Sequence, residues 1–175
     1  MAILPIRKVP DPVLRQKAKR VKTIDGSVAK LVKSMIETMR SASGVGLAAP
    51  QVGVPLRVIV IQIPEEKPIA LINPQIVRKS GERIIEEGCL SIPGYVGQVS
   101  RAVSVTAKGL EPSGKEVRIK GTELLAQALE HEINHLNGVL YIDQLTSPDT
   151  FHKVETKKKE TEPVQEAQPK VETAA

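Results

Sequence analysis

Two of the three histidines in this chain, His131 and His135, lie four residues apart in the segment HEINH. Residues with this spacing share one face of an α-helix, so both imidazoles can bind the same ion. Glu132 follows the first histidine and can reach a water molecule held by that ion. The H-E-x-x-H pattern is typical of zinc peptidases, and it predicts a catalytic metal site with Glu132 as the base that activates water.

A catalytic metal site of this kind needs a third protein ligand. In one class of zinc peptidases the pattern continues through a glycine to a third histidine, but here Gly138 is followed by Tyr141 at that position. A second class uses a downstream glutamate. The downstream candidates lie in or beside a low-complexity tail, where ordering a ligand costs conformational entropy: Glu155, Glu160, Glu162 and His152.

Cys89 is the remaining candidate for the third ligand. It is the only cysteine, so the chain has no internal disulfide and fits a reducing compartment. Gly88, which precedes it, allows the backbone to approach another group closely. One thiolate with two imidazoles leaves the fourth position of a tetrahedral ion open to water, as in catalytic sites.

A third segment with possible chemistry is residues 44–51, GVGLAAPQ. Its small side chains allow an extended peptide to lie against the backbone. It is not a phosphate-binding loop, because no Gly-Lys-Ser/Thr follows. Gln51, at its end, offers an amide donor for an oxyanion.

The elements that must position these residues follow from hydrophobic spacing. Residues 28–39 have the helical period, Asp11-Pro12 begins a short capped helix, and a second long helix runs from Thr122 to Asn137 and ends at Gly138. Alternating and β-branched segments predict strands at 56–63, 69–72, 75–77, 83–86, 99–107 and 116–120. We expect an α+β fold, with mixed or antiparallel strands around the central metal-binding helix.

Composition and charge limit the partners. The formal net charge of +5 lies entirely in residues 1–150, because residues 151–175 contain five Lys and five Glu. A mildly basic surface favours anionic partners such as RNA-rich assemblies, but no basic stripe with interleaved aromatics predicts sequence-specific nucleic-acid binding. No apolar run long enough for a membrane span and no signal peptide is present.

Residues 1–147 are predicted to form one catalytic domain. Beyond this point Lys, Glu, Thr, Pro and Gln replace the patterned segments, so residues 148–175 are predicted to be a disordered tail. Arg101, in an alternating strand, is expected to have a structural role, either paired with a carboxylate or solvated.

Three segments, in this order, resemble the motifs of the peptide deformylase family: GVGLAAPQ at 44–51, EGCLS at 87–91 and HEINH at 131–135. The resemblance covers residues 3–146, including LPIRKVPDPVLR near the start and NGVLYIDQL after the helix. It implies hydrolysis of the N-formyl group from nascent chains that begin with formyl-methionine, with release of formate. A bacterial, cytoplasmic enzyme that works close to the ribosomal exit tunnel is expected.

The resemblance also implies roles for individual residues. Cys89, His131 and His135 would bind Fe²⁺, with Zn²⁺, Ni²⁺ or Co²⁺ able to substitute. Glu132 would be the general base, and Gln51 and the backbone N–H of Leu90 would stabilise the oxyanion.

A methionine side chain needs an apolar slot, for which we expect Val45, Ile85, Leu124 and Ala128, with Gly88 beside it. The peptide backbone is expected to pair with Val45 and Gly46 as an added strand.

Three residues depart from the family pattern near the helix. Glu130 stands for a usual Gln, Asn134 for a usual Asp, and Gln127 for a usual apolar residue. We expect Asn134 to weaken the negative charge behind the metal ligands and Gln127 to make the rim of the slot more polar.

Two other functions share part of this pattern. A zinc peptidase also has H-E-x-x-H but lacks its usual third ligand here. A non-catalytic metal or redox sensor could use Cys89, but it needs no general base, so Glu132 argues against it.

Overall fold

Two antiparallel sheets and two long helices build the part of the chain that the computed structural model describes, residues 2–154. The five-stranded sheet has the order β1 (Gly46–Ala48), β2 (Val58–Ile61), β3 (Ile69–Ser80), β6 (Ser104–Leu110) and β7 (Glu116–Thr122). The three-stranded sheet contains β4 (Arg83–Cys89), β5 (Ile92–Arg101) and β8 (His152–Lys153). Helix α1 spans Gly26–Ser41 and helix α2 spans Glu123–Leu136. Short 3-10 helices lie at Pro12–Arg15, Ala49–Val52, Tyr141–Asp143 and Pro148–Thr150. The predicted α+β class is confirmed.

Helix α2 is fixed by its apolar stripe. Leu129, Ile133 and Leu136 are buried in one hydrophobic cluster with side chains of β2, β3 and β6. Removing such side chains from water contributes about 1.5–3 kcal/mol each. The stripe therefore holds the helix against one face of the five-stranded sheet, and the face with both histidines is left free to meet β4.

Helix α1 packs on the opposite face of the same sheet. Its first turn is capped by Asp25, whose carboxylate accepts hydrogen bonds from the backbone N–H groups of Ser27 and Val28 at 2.9 and 3.3 Å. Its buried side chains, Val28, Val32, Met35 and Met39, join a second cluster with Val58, Val60 and Ile72. Strand β2 is therefore buried on both faces. No helix within residues 2–154 is long and apolar enough to cross a membrane.

Two predicted strands, 69–72 and 75–77, form the single strand β3. Asn73 lies in the left-handed region, with φ of 52°, where the pairing of β3 with β6 is irregular. Its amide accepts from the N–H of Val21 at 2.8 Å and donates to the carbonyl of Val21 at 2.9 Å. The Asn-Pro pair therefore makes a bulge inside a strand and does not end it.

The predicted strand 99–107 is wrong in the opposite sense, because it is two strands in different sheets. Strand β5 ends at Arg101, and β6 begins at Ser104 in the five-stranded sheet. Between them the N–H of Ala102 donates to the Glu130 carboxylate of α2 at 2.9 Å, and Val103 is 38% exposed. The alternating pattern continues across this crossover, so it conceals the break.

The predicted tail is ordered in its first part. Strand β8 pairs with Tyr95 and Val96 of β5, and the ring of Phe151 stacks on Tyr95 with centroids 5.0 Å apart. Residues 148–154 therefore pack against the three-stranded sheet, because strand pairing and the stacking of Phe151 on Tyr95 offset part of their ordering entropy. The remainder of the predicted tail lies outside the described residues.

Thr122 is the N-cap residue of α2, as predicted, but its side chain makes no capping hydrogen bond. It is the last residue of β7, and the chain turns directly from strand to helix at Glu123, with φ of 52°. Strand β1 has no counterpart among the predicted strands, because its small residues lack the β-branched or alternating pattern of a strand.

Candidate metal centre

Strand β4 and helix α2 bring the three predicted ligands together. Cys89 is the last residue of β4, and His131 and His135 lie one turn apart on α2. The Sγ of Cys89 is 3.3 Å from the Nε2 of His135, which is 3.1 Å from the Nε2 of His131. All three donor atoms lie within 4.8 Å of one another.

This donor set fits a divalent transition metal. Two imidazole nitrogens and a thiolate are soft to intermediate ligands of the kind that bind zinc or iron. Three groups with lone pairs aimed at one point repel one another unless a proton or a cation lies between them. Within residues 2–154 no other cluster of His, Cys, Asp and Glu side chains has this geometry.

The alternative third ligands do not join the cluster. The Tyr141 ring stacks on His131 with centroids 6.4 Å apart, and its buried hydroxyl has no hydrogen-bond partner in the described part of the chain. His152 is exposed on β8. Glu155, Glu160 and Glu162 lie outside the described residues.

A buried carboxylate, Glu87, orients the first histidine. Its Oε2 is 2.7 Å from the Nδ1 of His131, so the Nε2 of this ring carries the lone pair toward the ligand cluster. Arg101 donates to both oxygens of the same carboxylate. Burial alone would raise the pKa of Glu87, but the hydrogen bonds from His131 and Arg101, together with the positive charge of Arg101, lower that pKa to about 2. Glu87 is therefore ionised and locks the ring in one tautomer.

Arg101 has the structural role that its sequence position suggested, since it is only 3% exposed and paired. Its Nη1 also donates to the amide oxygen of Gln144 at 3.1 Å, and the same oxygen accepts from Asn134 at 3.0 Å. Asn134 therefore contacts the centre only through Gln144 and Arg101. The neutral Asn134, which stands for the usual Asp, can therefore affect the metal centre only indirectly, through this chain of hydrogen bonds.

Glu130, the other departure beside the histidines, points away from the cluster. Its carboxylate accepts from Lys79 at 3.0 Å and from the N–H of Ala102 at 2.9 Å. It thus ties α2 to β3 and to the crossover between the sheets.

Gln51 is oriented by its own backbone segment. Its amide oxygen accepts from the N–H of Ala48 at 2.9 Å, which turns Nε2 toward the Oγ of Ser91 at 3.1 Å and the Sγ of Cys89 at 3.6 Å. The N–H of Ser91 also donates to that sulfur at 3.4 Å. The amide donor of Gln51 therefore lies beside the thiol of Cys89. The turn formed by Leu90 and Ser91 lies beside it as well.

Glu132 lies against the backbone of β1. A Cβ added to Gly46 would lie 2.6 Å from the Oε1 of Glu132, so only glycine leaves space for this carboxylate. The Oε2 of Glu132 is buried without a hydrogen-bond partner among residues 2–154. Burial, opposed in part by the charge of His131, raises the pKa of Glu132 to about 7. A buried carboxyl with a free oxygen and this pKa can accept a proton near neutral pH.

A cavity of about 460 Å³ opens beside these groups. Its lining includes Val45, Gly46, Gly88, Leu90, Leu124 and Ala128. Gln127 also lines it. Ile85, the remaining slot candidate, does not line this cavity and packs on the cluster around Val99 and Tyr141.

Strand β1 is an edge of its sheet and borders the cavity. The carbonyl of Val45 accepts from the N–H of Gln62 at 2.8 Å, so it is directed to β2. In an antiparallel ladder the next residue directs its backbone groups the other way. Gly46, and not Val45, therefore offers free backbone groups to an added strand.

Sequence reasoning missed Glu87 and Ser91 as parts of the site. Glu87 lies two residues before Cys89, and the period of two in a strand places both on one face. That signal was available in the sequence. The role of Ser91 depends on the turn between β4 and β5 and has no comparable signal.

Comparison with known proteins agrees with this geometry. The family model described as polypeptide deformylase matches residues 3–151. A peptide deformylase of Dehalococcoides mccartyi is 59% identical over 155 residues, which cover 88% of this chain and 93% of the relative. One from Halothermothrix orenii is 55% identical and covers 83% of this chain and 95% of the relative.

Solved structures give the same result. The crystal structure of a peptide deformylase from Legionella pneumophila has a TM-score of 0.81 and 49% identity, and the match covers 85% of this chain and 88% of that one. A peptide deformylase from Synechococcus elongatus in complex with actinonin has a TM-score of 0.81 and 42% identity, over 84% of this chain and 81% of that one.

Fold and site together define an enzyme of the hydrolase class with a candidate metal centre. The chain belongs to the polypeptide deformylase family. It is a hydrolase that removes the N-formyl group from nascent peptides, which confirms the resemblance seen in the sequence.

The buried Glu87 yields a prediction about stability. Because its pKa is lowered from 4.5 to about 2 in the folded chain, Glu87 stabilises the fold above pH 4.5, and this contribution is lost as the pH falls toward 2. Glu87→Gln leaves Arg101 buried without its anion, and we expect a loss of about 3–5 kcal/mol at neutral pH. Urea unfolding at several pH values measures both effects.

The matched control is Glu123→Gln, which breaks the exposed pair between Glu123 and Arg83. It should cost less than about 1 kcal/mol. A Glu87→Gln variant whose unfolding free energy kept the wild-type dependence on pH below 4.5 would contradict the assignment.

Proposed function

We propose that the chain binds one divalent metal through Cys89, His131 and His135, and that Glu132 is the general base of deformylation. The observation that carries this proposal is the convergence of the three donor atoms within 4.8 Å beside a buried carboxylate with an unpaired oxygen. Ferrous iron is the proposed native metal, with Zn²⁺, Ni²⁺ or Co²⁺ as substitutes, because a thiolate with two imidazoles suits these ions.

When bound, the metal supplies Lewis acidity, which makes water nucleophilic near neutral pH and polarises the formyl oxygen. The residues of the chain do the remainder. Glu132 takes a proton from the attacking water and later delivers it to the amine that leaves. Burial raises the pKa of the Glu132 carboxyl to about 7. A pKa near neutral pH suits a group that must both accept and release a proton.

Negative charge develops on the formyl oxygen as water adds to the carbon. The Nε2 of Gln51 is held toward this region by the hydrogen bond between its own oxygen and the N–H of Ala48. Together with the N–H of Leu90 it forms the proposed oxyanion site. Donors that are fixed before the reaction do not need to reorganise in the transition state.

The substrate enters as an added strand at the free edge of β1. Gly46 is proposed to pair with its backbone, and Val45, Leu124 and Ala128 to contact the methionine side chain, with Gly88 at the border of the cavity. A contact between Ile85 and the methionine side chain stays a prediction, because Ile85 packs on the neighbouring cluster around Val99 and Tyr141. Nascent formylated chains are found in the bacterial cytoplasm at the ribosomal exit tunnel, where we place the enzyme.

Formate release from a formyl-methionyl tripeptide tests the proposal, with protein purified without oxygen and peptide-bond cleavage followed in parallel. We expect formate without cleavage. Glu132→Ala should lower kcat by about 10²–10⁴-fold and retain the metal, since it removes only the base. Cys89→Ser should lose the metal and with it the activity. Reconstitution of metal-free protein with each of the four ions identifies the preferred one.

Peptide-bond cleavage in this assay would favour a zinc peptidase instead. Bound metal with neither product would favour a sensing protein. Full activity in Glu132→Ala would exclude this residue as the base.

Gly46 provides an independent test of Glu132. In Gly46→Ala the new Cβ would displace the carboxylate, so we expect kcat to fall at least about tenfold, part of the contribution of a general base. Metal content should not change, because Glu132 is not a ligand. Gly26→Ala, whose Cβ would meet no atom within 4 Å, is the control. Unchanged kcat in Gly46→Ala would show that the position of Glu132 is not critical.

Gln127 is predicted to influence preference for the first side chain. Its amide N–H can donate to the methionine sulfur, a weak acceptor that norleucine lacks. We expect the ratio of kcat/KM for formyl-Met over formyl-norleucine peptides to fall about two- to tenfold in Gln127→Leu, the value of one hydrogen bond. Gln16→Leu, at an exposed position, is the control. An equal ratio in wild type and Gln127→Leu would remove this role.

A further inference from the structure

The part of the five-stranded sheet that α1 leaves uncovered carries four positive side chains. They are Arg78 on β3, Lys108 on β6, and Arg118 and Lys120 on β7. The register pairs Arg78 with Thr106 and Thr106 with Lys120, and it pairs Lys108 with Arg118. Val105 and Ala107, which alternate with these residues on β6, are fully buried toward α2. The four cations therefore share the outer face of the sheet, which we term the cationic face.

Within residues 2–154, the cations of this face have no acidic partner. None of the four forms an ion pair with a carboxylate in the described part of the chain. Arg78, Arg118 and Lys120 border one depression of about 420 Å³, and the polar groups between them are the hydroxyls of Ser80, Ser104 and Thr106. Unpaired cations interleaved with hydroxyl groups match the acceptor oxygens of a phosphate chain.

The positive charge continues beyond the end of these strands. Lys108 borders a second depression together with Arg20 and Gln75. Arg20 and Gln75 also border a third depression, which is lined by Arg57 as well. Burial and the charge of Arg20 lower the pKa of Arg57. Neither guanidinium group forms an ion pair with a carboxylate of residues 2–154. Glu116 is the one carboxylate that borders any of the three depressions within residues 2–154.

We propose that the cationic face, together with Arg20 and Arg57, binds the phosphate backbone of structured RNA. The choice of RNA as the ligand rests on the proposed function, since an enzyme that acts on nascent chains works at the ribosome, whose surface is rich in RNA. The contact is independent of sequence, because the face has no aromatic side chain on which a base could stack. It agrees with the sequence, which predicts no sequence-specific nucleic-acid binding.

The composition of the face favours RNA over other anionic surfaces. A membrane-binding face would add Trp, Phe or Leu side chains that enter the lipid, whereas one valine, Val77, is the large apolar side chain of the depression. A stable protein interface has an apolar or aromatic centre and is poor in lysine. Hydroxyls and lysines at the centre of the face fit neither.

Binding at this face leaves the catalytic cavity accessible. Helix α2 packs on the inner side of the sheet, and its histidines point further inward toward β4. The depression at Arg57 is also lined by Ile133 and Asn134 of α2, but none of the three depressions shares a lining residue with the catalytic cavity. The enzyme can be held by RNA while its cavity receives the emerging peptide.

The test measures binding of a fluorescein-labelled RNA hairpin to the full chain by anisotropy over a range of salt concentrations. The double variant Arg118→Gln with Lys120→Gln should bind about tenfold more weakly at moderate salt, and its slope of log affinity against log salt should be smaller by about 1.5 to 2. The control, Lys30→Gln with Lys33→Gln, removes the same charge from exposed positions of α1 and should change neither quantity. Formate release from a formyl-methionyl tripeptide should be normal in both.

Several outcomes would overturn the proposal: no RNA binding by the wild-type chain, equal weakening in both double variants, or binding to phosphatidylglycerol vesicles but not to RNA. If the first double variant loses deformylation through misfolding, Arg78→Gln with Lys108→Gln takes its place and carries the same expectation. RNA binding without formate release from the wild-type chain would refute the proposed function and leave this surface in place.

Discussion

The hydrogen bonds of one buried carboxylate hold the site together. Glu87 is at the end of β4, yet it joins Arg101 of β5 and His131 of α2, so a single ionised group connects the three-stranded sheet to the helix. Two partners make its burial tolerable, because an unpaired carboxylate in this position would cost several kcal/mol. The same contact fixes which ring nitrogen of His131 faces Cys89. Fold stability and ligand orientation therefore depend on the same bonds.

The second constraint is the close approach of side chains and backbone at two glycines, Gly46 and Gly88. Helix α2 lies between the two sheets, and the reactive groups occupy the narrow space that remains between α2, β1 and the end of β4. Gly46 gives Glu132 this space, and Gly88 lies where a Cβ would meet the carbonyl of Tyr95 at 3.2 Å. The small residues of segment 44–51 also form an edge strand. The backbone of β1 therefore accommodates the proposed base and leaves an unpaired edge where the substrate is proposed to bind.

Much of the candidate site could be predicted because its proposed metal ligands lie in two short local motifs. The helical period placed His131 and His135 on one face, and the absence of other soft ligands left Cys89. Features that depend on partners distant in sequence were not accessible. The alternation from Val99 to Ala107 gave no sign that the chain changes sheets at Ala102, because the deciding bond comes from Glu130 on α2. Phe151 was assigned to the tail because its partner Tyr95 is far away in the chain.

The departures from the family pattern have consequences that only the contacts reveal. Asn134 is next to a proposed ligand in sequence, but its amide is three hydrogen bonds away from Glu87, through Gln144 and Arg101. The side-chain oxygen of Gln144 accepts hydrogen bonds from two donors, the amide of Asn134 and the guanidinium of Arg101. A carboxylate at position 134 would offer no donor to this oxygen. It would instead compete with Glu87 for Arg101. The neutral residue thus leaves the full charge of Arg101 to the buried carboxylate. A change that looked like weakened support for the metal ligands is, in this chain, compatible with a stronger Glu87–Arg101 pair.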